Sequence, residues 1–321
     1  MSILRIEMYK MFREVTLKIV ILISLFIVGM QTYSFYVTQR RAVNESYEAA
    51  IKADNDMDET DDFFENSFIE GWIGCETYTP YHTMLYLIMP LFAAIPFAIS
   101  QFEEWRSGYA AQVITRCGRR KYMNAKYAAV FISGGITIAV PLIISMIVSM
   151  CYMPVIKMDP IALQSRISTV YMFGYTYIYH PVLYTMIYIF VDFLYGGIFA
   201  CMAMVASSFV RNWFTAMTFP MVLSYFLYYG LGRLSDSAVW LRTYNFSYFI
   251  RPDQNGESSL RFVPFISITV ALLAIEYFIY WVLNVKRETI KNLQEFEKIQ
   301  ENGNEDRDKK CYKNYKKDKS Y

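Results

Sequence analysis

The sequence predicts an all-α membrane protein: six transmembrane helices, an N-terminal interfacial amphipathic helix, and a short charged helix between the second and third spans. Three observations carry that prediction. The chain is 55% hydrophobic with a mean hydropathy of +0.21, which places it among membrane proteins. Six apolar runs, at about 15–37, 83–101, 124–151, 181–208, 213–231 and 263–284, each approach the roughly 20 residues a helix needs to cross a bilayer core. Runs this long exclude barrel strands, and only helices or closed barrels satisfy their backbone in lipid. The third observation is the charge distribution. An even number of spans puts both termini on one side. That side then holds the four Lys and Arg of 1–18, six in 102–126, Arg211 and eleven in the tail, leaving nine of the 31 for the other. The positive-inside rule makes the richer side cytoplasmic.

Along the chain, residues 1–14 read as an amphipathic helix lying in the membrane interface. Ile3, Ile6 and Phe12 share a face, while Arg5, Lys10 and Arg13 reach headgroups or a partner. The first apolar run is too long for a signal-peptide core, and Gln31-Thr32-Tyr33 offers no small-residue cleavage site. The outer loop 38–82 carries eleven acidic residues against three basic ones and is too small for a core of its own, so it reads as a partly helical cap on the spans. Within it Asp54, Asp56, Asp58, Thr60, Asp62 and Glu65 have the spacing of a calcium loop. Glu59, however, stands where that loop needs glycine, and Asp61 takes its apolar position, so a solvated acidic face is the reading.

Segment 102–126 is a charged connector between two apolar runs, with five Lys and Arg in 116–126, suited to gripping a soluble partner. The outer loops 152–180 and 232–262 are irregular or interfacial, and the tyrosines near 171–179 form an aromatic belt. Ser207 to Asn212 make a tight cytoplasmic turn. The spans and their loops form one domain, 15–284, and 285–321 is a charged cytoplasmic tail ending in a lysine-rich run.

The chemistry that is missing narrows the function. There is no G-x-x-x-x-G-K-[ST] loop, no H-E-x-x-H and no G-x-S-x-G. Ser133-Gly134-Gly135 lies inside an apolar span, where small residues serve helix packing. The histidines, His82 and His180, fall at outer interfaces, and the five cysteines have no metal spacing, although Cys75 and Cys151 lie where a bridge is open to them. No catalytic residue, metal or nucleic-acid site is assigned. Two carboxylates sit inside spans, Asp192 and Glu276. Each costs about 2.5–3.5 kcal/mol at a helix centre, so both should face protein and are candidates for lining a translocation path. Tyr184, Tyr188 and Tyr195 are available to hydrogen-bond them.

Segment 102–126 resembles the permeases of ABC-2 type transporters. The acidic pair Glu103 and Glu104, the glycine Gly108, the apolar-to-basic step Val113-Ile114-Thr115-Arg116, the basic turn Arg119, Arg120 and Lys121, and the closing Tyr122 and Lys126 follow that family's pattern. The start, with Glu7, Lys10 and Arg13, resembles its interfacial helix. The acid-rich outer loop departs from the pattern. The resemblance implies an ATP-driven transporter, an exporter of a peptide, drug-like or lipid-linked molecule, in which this chain is a multi-pass subunit of a bacterial cytoplasmic membrane. ATP and magnesium would be bound by a separate ABC ATPase, docking at Glu103, Glu104, Gly108, Arg116, Arg119, Arg120 and Lys126, and a second permease chain would complete the membrane domain. Rival classes are a membrane sensor or assembly scaffold, and an ion-coupled carrier using Asp192 and Glu276.

Overall fold

In a computed structural model, residues 3–52, 67–76, 79–98, 100–157, 172–210, 212–230, 244, 246–252 and 262–283 are described, and all their regular structure is helical. The acidic stretch 54–65, the middle of the loop 152–180 (158–171), most of the loop 232–262, and the tail 285–321 lie outside these residues. The order is α1 (Ile3–Arg13), α2 (Val15–Lys52), α3 (Phe68–Gly71), α4 (Pro80–Ala94), α5 (Ser100–Arg106), α6 (Tyr109–Cys117), α7 (Arg119–Tyr152), α8 (Gly174–Tyr179), α9 (Pro181–Ala206), α10 (Trp213–Tyr225) with a π-turn at Phe226–Gly230, α11 (Phe246–Phe249) and α12 (Phe262–Leu283). The chain divides into a main unit, Met1–Leu273, and a second, Ala274–Tyr321, whose described part is the last section of α12.

Among the described residues, four helices are long and apolar enough to cross a membrane: Val15–Arg41 of α2, α7, α9 and α12. The expected runs 83–101 and 213–231 are not single long helices. α4 has 15 residues, about 22 Å, and stops ahead of Pro96, which has no N–H to continue the helical hydrogen-bond ladder. Two loose turns then carry the chain to α5. α10 has 13 residues and continues directly into the π-turn, so a helical path of mixed pitch replaces the regular one.

α9 is the central helix, buried along most of its length. It packs most extensively on α7, where glycines let the two backbones touch. A Cβ on Gly134 would strike the Gly196 carbonyl oxygen, and one on Gly197 would lie 2.5 Å from the Phe131 ring. Close approach through small residues is how helices associate where lipid removes the hydrophobic drive between them. α2 lies on the periphery. Its Val15, Ile19, Leu22, Phe26, Met30 and Tyr33 recur at helical spacing and are all exposed, whereas Leu17, Val20, Ile27, Val28 and Phe35 face inward. α10 and α12 show similar exposed apolar faces. Stripes this large are stable only against a bilayer or another apolar surface.

At the acidic end the loop between α2 and α4 does more than cap the helices. Residues 67–76 fold inward as a wedge. Trp72, fully buried, donates its Nε1–H to the Leu142 carbonyl at 3.1 Å, and the Ile73 amide donates to Ser145 Oγ at 3.2 Å. Leu142 lies ten residues before the end of α7, about 15 Å along its axis, so the wedge penetrates well into the bundle. Gln31 Nε2 donates to the Gly71 carbonyl at 3.1 Å and satisfies backbone that water cannot reach. His82 is buried with Nδ1 2.6 Å from the Ile73 carbonyl, and its ring packs on Tyr86. Cys75 is buried and Cys151 exposed, and no disulfide joins them.

Candidate functional site

The richest cluster of charge lies at the opposite, basic end, where α1, the α5–α6 connector and the start of α7 meet. α1 is amphipathic, but its buried face centres on Glu7 and Met11, while Leu4, Ile6, Tyr9 and Phe12 remain exposed. Glu7 is buried because α7 offers Lys126, fully enclosed, whose Nζ is 3.1 Å from Glu7 Oε2 and 3.0 Å from Glu104 Oε1. Lys10 completes the alternation, 3.3 Å from Glu7 and 3.1 Å from Glu104. Tyr122, one turn before Lys126, donates its hydroxyl to the other Glu104 oxygen at 2.5 Å. Each ammonium also caps an aromatic ring: Lys126 over Phe97 at 4.4 Å and Lys10 over Tyr109 at 4.1 Å.

Two cations and two carboxylates therefore alternate, which offsets much of the cost of removing four charges from water. The Glu104 carboxyl would be raised by burial, but Lys126, the Tyr122 hydrogen bond and Lys10 together hold it below its ordinary value. Burial would lower Lys10. Its hydrogen bond to Tyr109 and the charges of Glu104 and Glu7 outweigh that and raise it.

The connector is shaped by two glycines. Gly108 (φ 77°) lies between α5 and α6, and Gly118 (φ 80°) between α6 and α7. Both φ values are left-handed, where a side chain is strained, so the two sharp reversals that hold α6 as a separate strut depend on glycine. Glu103, Arg116 and Arg120 are exposed, and Arg119 is half-buried. Of the seven residues singled out in the connector, Glu104 and Lys126 thus face inward as a bonded pair, Gly108 shapes the backbone, and the exposed rim is left to Glu103, Arg116 and Arg120. Glu7 and Lys10, noted only as part of the amphipathic start, prove to be partners of that pair.

Asp192 and Glu276 do not meet in the main unit. Asp192, on α9, is fully buried and accepts a hydrogen bond from Tyr86 of α4 at 3.1 Å, while its Oδ1 has no partner among the described residues. The tyrosines of α9 are engaged elsewhere. Tyr184 donates to the Pro252 carbonyl at 3.1 Å, and Tyr195 shares a hydrogen bond with Thr269. The other side of Tyr86 lines a small cavity with Phe199, Tyr225, Tyr228 and Arg251, whose guanidinium stacks on Tyr228 at 4.7 Å. Glu276 belongs to the second unit; it is buried, and neither oxygen has a hydrogen-bond partner among the described residues. No group of metal-binding side chains occurs among the described residues.

Comparison with protein-family models, curated proteins and solved structures returns no match.

Proposed function

We propose that this chain is the membrane subunit of an ATP-driven ABC-2 type transporter, an exporter powered by a separate ATPase. On this reading α4 and the α10 segment complete six spans, both termini are cytoplasmic, and a second permease chain completes the membrane domain. The observation that carries the reading is the buried pairing of Lys126 with Glu7 and Glu104. It supports the reading because it makes a mechanical linkage. A partner that grips the exposed rim of α5 and α6 displaces Glu104, and Glu104 is bonded to α7 and α1 at once. Force on a soluble loop is thereby delivered to a span packed along the central helix, the kind of rigid element that two-state transport needs. Exposed charges of both signs, Glu103 with Arg116 and Arg120, suit a cleft in an ATPase lined with complementary groups.

The test is affinity purification of the full chain from its native membranes, with nucleotide-dependent ATPase activity as the readout. Wild type should carry an ATPase, and Glu103→Lys/Arg120→Glu, which changes only exposed groups, should lose it while remaining monodisperse. A well-folded wild type that never carries ATPase activity overturns the proposal. A second reading, an ion-coupled carrier, draws on the unpartnered oxygen of Asp192. It requires transport that persists without ATP and is lost in Asp192→Asn.

A further inference from the structure

The basic end holds a crevice that the linkage does not use. It is about 640 Å³ in volume and lies between the first turn of α1 and the α6–α7 junction. Two walls differ in chemistry. Arg116 and Lys121 supply cations, while Ile3, Leu4, Ala125 and Ala128 supply an apolar floor. Both cations are exposed and take part in none of the ion pairs among the described residues. They contrast with Lys10 and Lys126, which are saturated by carboxylates a short distance away.

The depth of this crevice in the bilayer follows from helix lengths. α7 has 34 residues, about 51 Å, against a hydrocarbon core of about 30 Å, so its charged first turns stand at headgroup level. α1 ends one residue before the first span begins, and its exposed Leu4, Ile6, Tyr9 and Phe12 are suited to acyl-chain contact at the same level. A void with cations toward water and alkyl groups toward lipid has the polarity of a phospholipid turned to match.

We propose that this crevice is a binding site for an anionic phospholipid, with the phosphate held by Arg116 and Lys121 and the upper acyl chain laid on Leu4, Ala125 and Ala128. The arginine fork and the lysine point charge suit a phosphate oxyanion, and neither has a carboxylate to displace among the described residues. The lipid would wedge α1 against α7 beside the Glu7–Lys126 pair, so the composition of the bilayer would set how firmly α1 is seated. The inference needs no partner protein, and it gives Arg116 to the lipid, leaving Glu103 and Arg120 as the rim offered to an ATPase.

The experiment is to reconstitute the full chain in nanodiscs of mixed phosphatidylcholine and phosphatidylglycerol, extract it gently, and count the retained lipids by native mass spectrometry. Wild type should retain phosphatidylglycerol in preference to phosphatidylcholine. Arg116→Gln/Lys121→Gln should weaken that retention roughly thirtyfold, because each cation near an anionic surface contributes about fivefold. Arg120→Gln, outside the crevice, should leave it unchanged. Ala128→Trp keeps every charge and fills the floor; it should also lose the lipid, and it serves if the double variant fails to fold. Equal retention in wild type and either crevice variant overturns the proposal. So does an equal loss in Arg120→Gln, which would mean diffuse attraction, and so does complete release of the lipid by millimolar inorganic phosphate, which would mean a site for the ion alone.

Discussion

Replacing Lys126 by methionine keeps the length of the side chain and removes its charge from a site with no exposure to water. At an effective dielectric of about 20, each contact of Lys126, 3.1 Å to Glu7 and 3.0 Å to Glu104, corresponds to roughly 5 kcal/mol of Coulomb attraction before desolvation is charged against it. Desolvation cancels much of that in the intact network, so the useful quantity is the cost of leaving the partners behind. Two carboxylates would then share Lys10 alone, 3.3 Å from Glu7 and 3.1 Å from Glu104, with its side chain 30% exposed. Breaking a buried pair by removing one member costs about 3–5 kcal/mol, and here the cheapest escape is for α1 to lift away and return Glu7 to water. Met11, fully buried on the same face of α1, reports that motion. With Met11→Cys as the accessible thiol in an otherwise cysteine-free chain, maleimide labelling should run about 10²–10³ faster in Lys126→Met than in the parent. Adding Glu7→Gln removes the stranded charge and should recover at least about tenfold of the protection. A labelling rate within about threefold of the parent in Lys126→Met would refute the view that this pair seats α1.

Divided by the rate of a fully exposed thiol at the same pH, since only the thiolate reacts, the same labelling should be flat through neutral pH and rise in acid. Glu104 has its folded value depressed below 4.5, so its contribution is complete above 4.5 and lost as pH falls through the depressed value. Lys10 is raised above 10.5, so its contribution is intact below 10.5 and fails only in stronger base; a midpoint near neutrality would contradict both assignments. Gly134→Val should lower the thermal midpoint and broaden the size-exclusion profile, because its side chain has only the Gly196 carbonyl and the Ala200 methyl to push against, whereas Gly29→Ala, with open space around it, should match wild type. At the acidic end Trp72→Ala should cost about 3–5 kcal/mol, mostly by leaving a cavity, and Trp72→Phe, which loses the same hydrogen bond to Leu142 but fills most of the space, about 1 kcal/mol; thermal midpoints in any other order would mean the wedge is not held as described.

Much of the helical plan is legible in the sequence because apolar runs leave few alternatives in lipid. Its limits have local causes. The runs at 83–101 and 213–231 look as apolar as the others, yet Pro96 interrupts one and the π-turn at Phe226–Gly230 alters the other. Hydropathy sums over a window and does not register a change of pitch. In the connector, the resemblance to ABC-2 type permeases singled out Glu104, Gly108, Tyr122 and Lys126, but it could not say that Lys126 points inward, since a lysine in a basic turn looks the same whether it faces water or a carboxylate 119 positions away. Asp192 was recognisable as a buried acid. Its partner Tyr86 was not, because the pairing depends on how α4 leans on α9. Trp72 gave no signal of its depth: a tryptophan at an outer loop ordinarily reads as an interfacial anchor.

The pairing of Glu7 with Lys126 also bears on how the chain is made. Lys126 emerges from the ribosome 119 residues after Glu7, an interval of roughly 6–24 s at ordinary elongation rates. During that time α1 has its first span beside it and no α7 to receive its acid. The N-terminal helix must therefore wait at the membrane surface with Glu7 paired only to Lys10, and it acquires its permanent seat when the segment bearing Lys126 is inserted. Correct placement of a later span is in this way recorded in α1, where an unseated helix would leave an exposed acid, and a buried lysine with only Glu104 of its two counter-charges, for quality-control proteases to find.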